Sequence, residues 1–291
     1  MTHLVKGFHE NFEVIQANNQ ALIEQSFALR YQVYCVERPF EPSVCFEDGK
    51  ETDAYDRCSV HSLVYHRGMD RYVGSVRLIL ADNQSPQAAF PIENLCDGLH
   101  RLRRVLSSTE FRVAEISRLA ISKQHKGRGR SGKTHARAAG ILPHATMGLF
   151  AAIVRMSADN NITHWYALME RTLTRLLGRF GIYFQPAGPM VQYRGLRQPV
   201  MGEVDSVLSR IFVERPDVWE LITDSGRSWP LNDAVVAQLR DAKGDAERRG
   251  RDTLGTAARS VFRPVDEPGA HGFKRNFAKR NFAKGVQATA V

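Results

Sequence analysis

Apolar and polar positions alternate in Phe12-Glu-Val-Ile-Gln16, a two-residue period that predicts a short first strand. Asn18 or Asn19 then caps a helix through about Val36, with Leu22, Leu29, Val33 and Val36 on one side. Pro39 and Pro42 end it, and a loop rich in acids runs from Glu47 to Asp56. His61–His66 and Tyr72–Leu80 read as strands joined by the turn Arg67-Gly-Met-Asp70. The clearest strand is 111–122, where Val113, Ile116, Leu119 and Ile121 are spaced three, three and two. A bulge between Val113 and Leu119 accounts for that spacing, because one extra residue swaps the face of everything beyond it.

Pro143 suits the first position of a helix running to about Asp159, with Met147, Phe150, Ala151 and Val154 inward. Thr163–Leu168 is a strand, Glu170 to Phe180 a helix closed by Gly181, and 182–185 and 190–193 two more strands. Beyond Gly202, Val204, Val207, Leu208 and Ile211 suggest a helix, and 216–222 another. Strands and helices in this order predict the α+β class: a mixed central sheet with helices on both faces.

Composition changes the picture little. At 43% hydrophobic and 24% charged, the 291 residues match an ordinary globular chain, long enough for a full core. Cys35, Cys45, Cys58 and Cys96 form no CxxC pair or ligand cluster, so free thiols and no metal are expected. No run of about 18 apolar residues is evident and the first residues lack a signal-peptide core, which leads us to expect a cytoplasmic protein. Charge says more. The net charge is +9, and the segment from Asp241 carries eleven Lys/Arg against six Asp/Glu. This tail is expected to be disordered, with peripheral membrane contact left open. Lys123 to Arg137 holds six cations and no acid.

Two patterns bear on chemistry. Gln124-His-Lys-Gly-Arg-Gly129 matches the Q-x-x-G-x-G loop of the GNAT superfamily of N-acetyltransferases. There, backbone N–H groups face the coenzyme A pyrophosphate. The second is an ordered series: Arg30 and Tyr34, then Glu51, Asp53 and Asp56, then Arg77, Phe90 and finally Glu115-Ile-Ser117-Arg118. This order resembles acyl-homoserine-lactone synthases, although Pro39-Phe40 stand where that family usually carries a tryptophan. That departure turns the expected product away from a homoserine lactone. Downstream, His164–Glu170, Leu173–Leu177, Phe180–Phe184, Gly188-Pro189 and Tyr193-Arg-Gly-Leu-Arg197 resemble N-acyl amino acid synthases and the exosortase-associated acyltransferases of the PEP-CTERM system.

The resemblance implies a GNAT fold over 10–202, a helical extension over 203–240 and the basic tail over 241–291. It implies an N-acyltransferase that moves a long-chain acyl group from a thioester to the amine of an amino acid or similar small acceptor. No permanently bound cofactor is expected; the donor is acyl carrier protein (ACP) or acyl-CoA. Glu115, Ser117 and Arg118 are the candidate catalytic residues, with Glu115 taking the amine proton. Arg30, Tyr34, Asp53, Asp56, Arg77 and Phe90 are candidates for acceptor binding. Leu119, Ala120 and Ile121 would supply the oxyanion N–H and pair with pantetheine. Lys126, Arg128, Arg130 and Lys133 would dock the acidic carrier protein. That carrier is preferred to coenzyme A because a helix beginning only at Pro143 starts too late to support a pyrophosphate.

Plainer readings stand beside these. Arg30, Asp53, Asp56 and Arg77 also fit a structural ion-pair network, and Tyr166 and Glu170 fit packing and a helix start. Cys58 as an acylated nucleophile has no His/Asp relay at suggestive spacing. A basic nucleic-acid-binding protein has the sequence pI of 9.6 in its favour but no recognised motif, so no specific nucleic acid is expected. A catalytically dead fold used as an interaction module, and a true homoserine-lactone synthase, complete the alternatives.

Overall fold

The computed structural model describes residues 3–81, 90–106, 111–123 and 133–248. Its elements in chain order are α1 (His3–Asn11), β1 (Phe12–Gln16), α2 (Gln20–Tyr31), β2 (Ser59–His66), β3 (Arg71–Ile79) and α3 (Asp97–Leu106). There follow β4 (Val113–Ile121), α4 (Lys133–Asp159), β5 (His164–Glu170), α5 (Arg171–Gly178), β6 (Gln185–Pro186) and β7 (Val191–Gln192). The last are β8 (Leu196–Glu203), α6 (Val204–Glu214), α7 (Pro216–Ile222) and α8 (Asp233–Arg248). One compact unit spans Met1–Ala242; a second begins at Lys243, of which only the end of α8 is described.

The strands form one mixed sheet in the order β1-β2-β3-β4-β5-β8-β6, with β7 also on β8. All pairs are antiparallel except β4–β5. One face carries the main core. Val76, Leu78, Ala114, Ile116, Trp165 and Ala167 pack there with α4 residues such as Met147, Phe150 and Val154, and with Val218 and Leu221 of α7. The other face carries a smaller cluster of Ile79, Phe90, Ile92, Cys96, Leu99, Val113, Tyr166 and Met201.

The expected bulge is present, but it accounts only for the step from Ile116 to Leu119; Val113 lies on the other face, in the smaller cluster. Arg77 pairs with Ser117 but Ser75 with Ala120, so Arg118 and Leu119 of β4 together oppose Val76 of β3. Arg118 takes up the irregularity with φ of 49°, the left-handed region that non-glycine residues seldom enter. Beside it the parallel pairing of β4 with β5 runs only from Val113↔His164 to Ile116↔Ala167, and the two strands part beyond it.

Several expectations need correction. Pro143 lies inside α4, which begins at Lys133. An interior proline forfeits one helix hydrogen bond and costs about 3 kcal/mol. Burial of Ile141 on one side and Ala145 and Met147 on the other offsets it. The segment Ile141–Asp159 is apolar enough to cross a membrane, with mean hydropathy 1.3, but 67% of it is buried in the fold. After Tyr31 the backbone widens into a π-helix, Gln32–Glu37, which rotates the stripe. Val36 is therefore 57% exposed, while Ser26, Arg30, Val33 and Cys35 are buried. β8 is a full strand despite Pro199, and α1 and α3 are helices that periodicity did not suggest. The region from Asp241 is helical as far as Arg248. Cys35, Cys45, Cys58 and Cys96 form no disulfide.

Candidate active site

The residues singled out in order along the chain meet on the sheet face opposite α4. Arg30, at the end of α2 and fully buried, donates from Nε to Glu51 Oε2 at 2.5 Å and from NH1 to Asp56 Oδ1 at 2.7 Å. Arg77 of β3 donates to Asp53 Oδ1 at 2.6 Å, Asp56 Oδ1 at 2.7 Å and Ser117 Oγ at 2.9 Å. Arg118, swung out by the bulge, donates to Glu51 Oε1 and Asp53 Oδ2, both at 2.9 Å. Three guanidiniums and three carboxylates thus close on one another with no net charge.

Local sequence explains why the acids stand there. In Asp53-Ala-Tyr-Asp56 the first carboxylate caps the 3-10 turn Ala54–Cys58 by accepting from Tyr55 N. The second returns to accept from Asp53 N at 2.7 Å. This reciprocal capping fixes both carboxylates while leaving oxygens for arginine. Burial opposes the charge of Asp56, but the hydrogen bonds and charge of Arg30, with Arg77, outweigh it and hold its carboxyl at about 2. Glu51 and Asp53 are likewise lowered against burial, chiefly by Arg118 and Arg77 respectively. His61, with Nε2 3.7 Å from Asp56 Oδ1, has no hydrogen-bond partner for either ring nitrogen among the described residues. Burial first, and the Arg30 charge second, push it down to about 4, so it is neutral.

Glu115 is different. It shares the face of Arg77 and Ser117, but its carboxyl lies over the smaller apolar cluster and meets none of the three arginines. Oε2 accepts from Ile92 N at 2.9 Å, and the residue is 4% exposed. Burial pushes the carboxyl up to about 8, against the Ile92 hydrogen bond and the Arg77 charge. At neutral pH the carboxyl is therefore held mainly in its neutral form. Its register partner Tyr166 has a buried hydroxyl without a partner among the described residues. The Phe90 ring lies edge-on to Tyr166 at 6.3 Å.

Tyr34 lies in the π-helix and donates from its hydroxyl to Leu119 O at 3.1 Å, tying that helix to the bulge. Ala120 is buried opposite Ser75, and Ile121 pairs with Gly74. Lys126, Arg128 and Arg130 lie outside the described residues, as does the side chain of Lys133. A cavity of about 730 Å³ between α2 and the β2–β3 hairpin, lined by Leu22, Leu29, Tyr65 and Tyr72, includes none of the network residues. Sequence reasoning missed His61, Glu41, Arg194 and Arg197 as neighbours of the site. The last two were visible only inside Tyr193-Arg-Gly-Leu-Arg197, a motif to which spacing gave no role.

Residues 29–132 match the family model described as Acetyltransferase (GNAT) domain. No curated protein matches the sequence. Among solved structures, FeeM, an N-acyl amino acid synthase from uncultured soil microbes, aligns with TM-score 0.47 at 10% identity. That alignment covers 70% of this chain and 96% of that one. BjaI, a CoA-dependent acyl-homoserine lactone synthase solved with SAM and isopentyl-CoA, gives 0.47 at 20% identity, covering 78% and 97%. TofI, in a ternary complex with an inhibitor and MTA, gives 0.49 at 16%, covering 77% and 98%. The chain contains a GNAT domain and is an acyltransferase of that type.

Proposed function

We propose that this acyltransferase moves a long-chain acyl group from a phosphopantetheine thioester to the amine of an amino acid. The observation that carries the reading is Glu115. It is a buried carboxyl at about 8, on the last rungs before β4 and β5 part. A base is most useful when its pKa lies near the working pH, and burial has put Glu115 there.

In this mechanism the thioester enters where β4 and β5 separate, with its carbonyl toward the backbone at Arg118–Leu119. The amine nitrogen attacks the carbonyl carbon. A C–N bond forms, the amine proton passes to ionised Glu115 directly or through a water, and the C–S bond breaks, with the leaving sulfur taking that proton from Glu115 and departing as the thiol. Ser117 holds Arg77, and the closed network holds the bulge rigid. Orientation of this kind supplies much of the acceleration, since the thioester is already activated.

The start of α4 at Lys133 removes the delay on which a preference for a carrier protein over coenzyme A rested. The donor is therefore proposed by its shared pantetheine thioester. The test incubates purified protein with dodecanoyl-ACP or dodecanoyl-CoA and a panel of amino acids, and detects N-acyl products by mass spectrometry. Products with either donor support the reading, and their ratio assigns the carrier. Only hydrolysis, or acetyl transfer alone, would refute it.

A further inference from the structure

The mouth of the site holds a second charged group that the catalytic reading leaves unused. Immediately after the π-helix, Phe40 N and Glu41 N both donate to Tyr34 O, at 2.9 and 3.1 Å. This hook fixes the neighbouring side chains. Glu41 Oε1 forms a close ion pair with Arg194 and lies 3.8 Å from Arg118 NH2. Phe40 lies under the Arg197 guanidinium, 5.8 Å from its centroid, and 6.3 Å from the Tyr34 ring. The Arg118 guanidinium stacks 5.8 Å over that same ring.

Two features mark this group as more than surface pairing. Arg194 sits at φ of 49° in the turn between β7 and β8, an uncommon backbone state for a side-chain-bearing residue. Arg197 donates from NH2 to Glu170 Oε1 at 2.9 Å, yet its Nε is buried with no acceptor among the described residues. A desolvated guanidinium N–H without an acceptor is costly, and it matches a carboxylate oxygen in strength and geometry. Glu41 and Arg194 are 14% and 28% exposed, so solvent and solutes reach the pair.

We infer that Arg194 and the free Nε of Arg197 form the subsite for the acceptor's carboxylate, and that Glu41 occupies it until the acceptor arrives. Glu41 then releases Arg194, and the incoming carboxylate bridges the two guanidiniums beside Phe40. The inference rests on the proposed amino-acid acceptor and adds the residues that would select for its acid group. A neutral amine would leave Glu41 in place and gain nothing from Arg194.

Binding tests this without relying on turnover. Calorimetry compares N-dodecanoylglycine with its carboxamide on the wild type and on Arg194→Asn, Arg197→Gln and Glu41→Gln. Asparagine is chosen at 194 because it tolerates the left-handed backbone. The wild type should bind the acid roughly tenfold to a hundredfold more tightly than the amide, the worth of one or two charge-assisted contacts. Arg194→Asn should erase most of that preference with little change for the amide, and Glu41→Gln should tighten the acid alone. If an arginine variant unfolds, Glu41→Gln decides. Equal affinities in the wild type, no binding of either probe, or a preference that survives both arginine changes would overturn the subsite. A retained binding preference without N-acylglycine formation would instead count against the reaction and leave the subsite standing.

Discussion

Replacing Glu115 by glutamine removes one proton site and almost no volume, which makes it a sharp probe of the buried carboxyl. The folded carboxyl titrates at about 8 and an ordinary glutamate at 4.5, so the unfolded chain binds fewer protons through that interval. Stability contributed by the neutral form is therefore complete below 4.5 and is lost as pH rises through about 8. Glutamine carries no such cost. The Glu115→Gln protein should be close to the wild type in stability at pH 5 and the more stable of the two at pH 9. The gap between them should be roughly 3–4 kcal/mol wider at pH 9. Urea unfolding at both pH values measures it. Turnover should move the other way. Wild-type rate should climb about tenfold between pH 7 and 9 as Glu115 ionises, while Glu115→Gln should be slower by about 10²–10⁴ with a flat profile. A stability difference that does not change with pH would refute the buried-acid argument. A folded variant with wild-type turnover would remove Glu115 from the reaction.

Two further outcomes test the frame around it. Arg30→Met removes the fully buried cation that faces Glu51 and Asp56, and leaving those acids unpaired should cost about 3–5 kcal/mol in chemical denaturation. Arg30→Lys should recover only part of that, because an ammonium cannot span both acids as the guanidinium fork does. Gly188→Ala would place a Cβ 2.5 Å from Cys96 Sγ, so the segment must shift; a loss of about 1–3 kcal/mol is expected in the same assay, and Cys96→Ala should rescue it. No loss in the glycine variant would mean that the approach of that loop to α3 is not held by packing.

What was readable in the sequence follows from how local each signal is. The step from Ile116 to Leu119 betrayed the bulge because a face swap leaves its mark in the hydrophobic pattern itself, whereas the step from Val113 to Ile116 reflects a strand buried on both faces. The ordered series of arginines and acids was readable as a set, although spacing could not say that Glu115 stands apart from it. That separation depends on Ile92 and the apolar cluster, which arrive from another part of the chain. β8 escaped notice because Pro199 and Gly202 are poor strand residues. The fold uses both: Pro199 offers its carbonyl to Ala187 N, and the bare Cα of Gly202 admits Phe184 and Val207, each about 3.0 Å from where a Cβ would stand. The π-helix was invisible for a similar reason, since a wider turn is set by what it must reach, here Leu119 through Tyr34. The pairing of Glu41 with Arg194 joins two loops far apart in sequence and has no periodic signature at all.

The neutrality of the arginine–acid network bears directly on the chemistry proposed for its neighbour. Arg77 and Arg118 both favour an ionised Glu115, and unopposed cations so near would pull its carboxyl toward the ordinary range. Asp53, Asp56 and Glu51 take up those cations at hydrogen-bond distance, so little of their field is left over. Desolvation by the apolar cluster then decides the outcome and keeps the proton on Glu115 near neutral pH. On the proposed reaction the acceptor's charge would be met outside the network, where Glu41 pairs with Arg194. On this argument the six charges act as scaffold, with one buried acid left free to titrate.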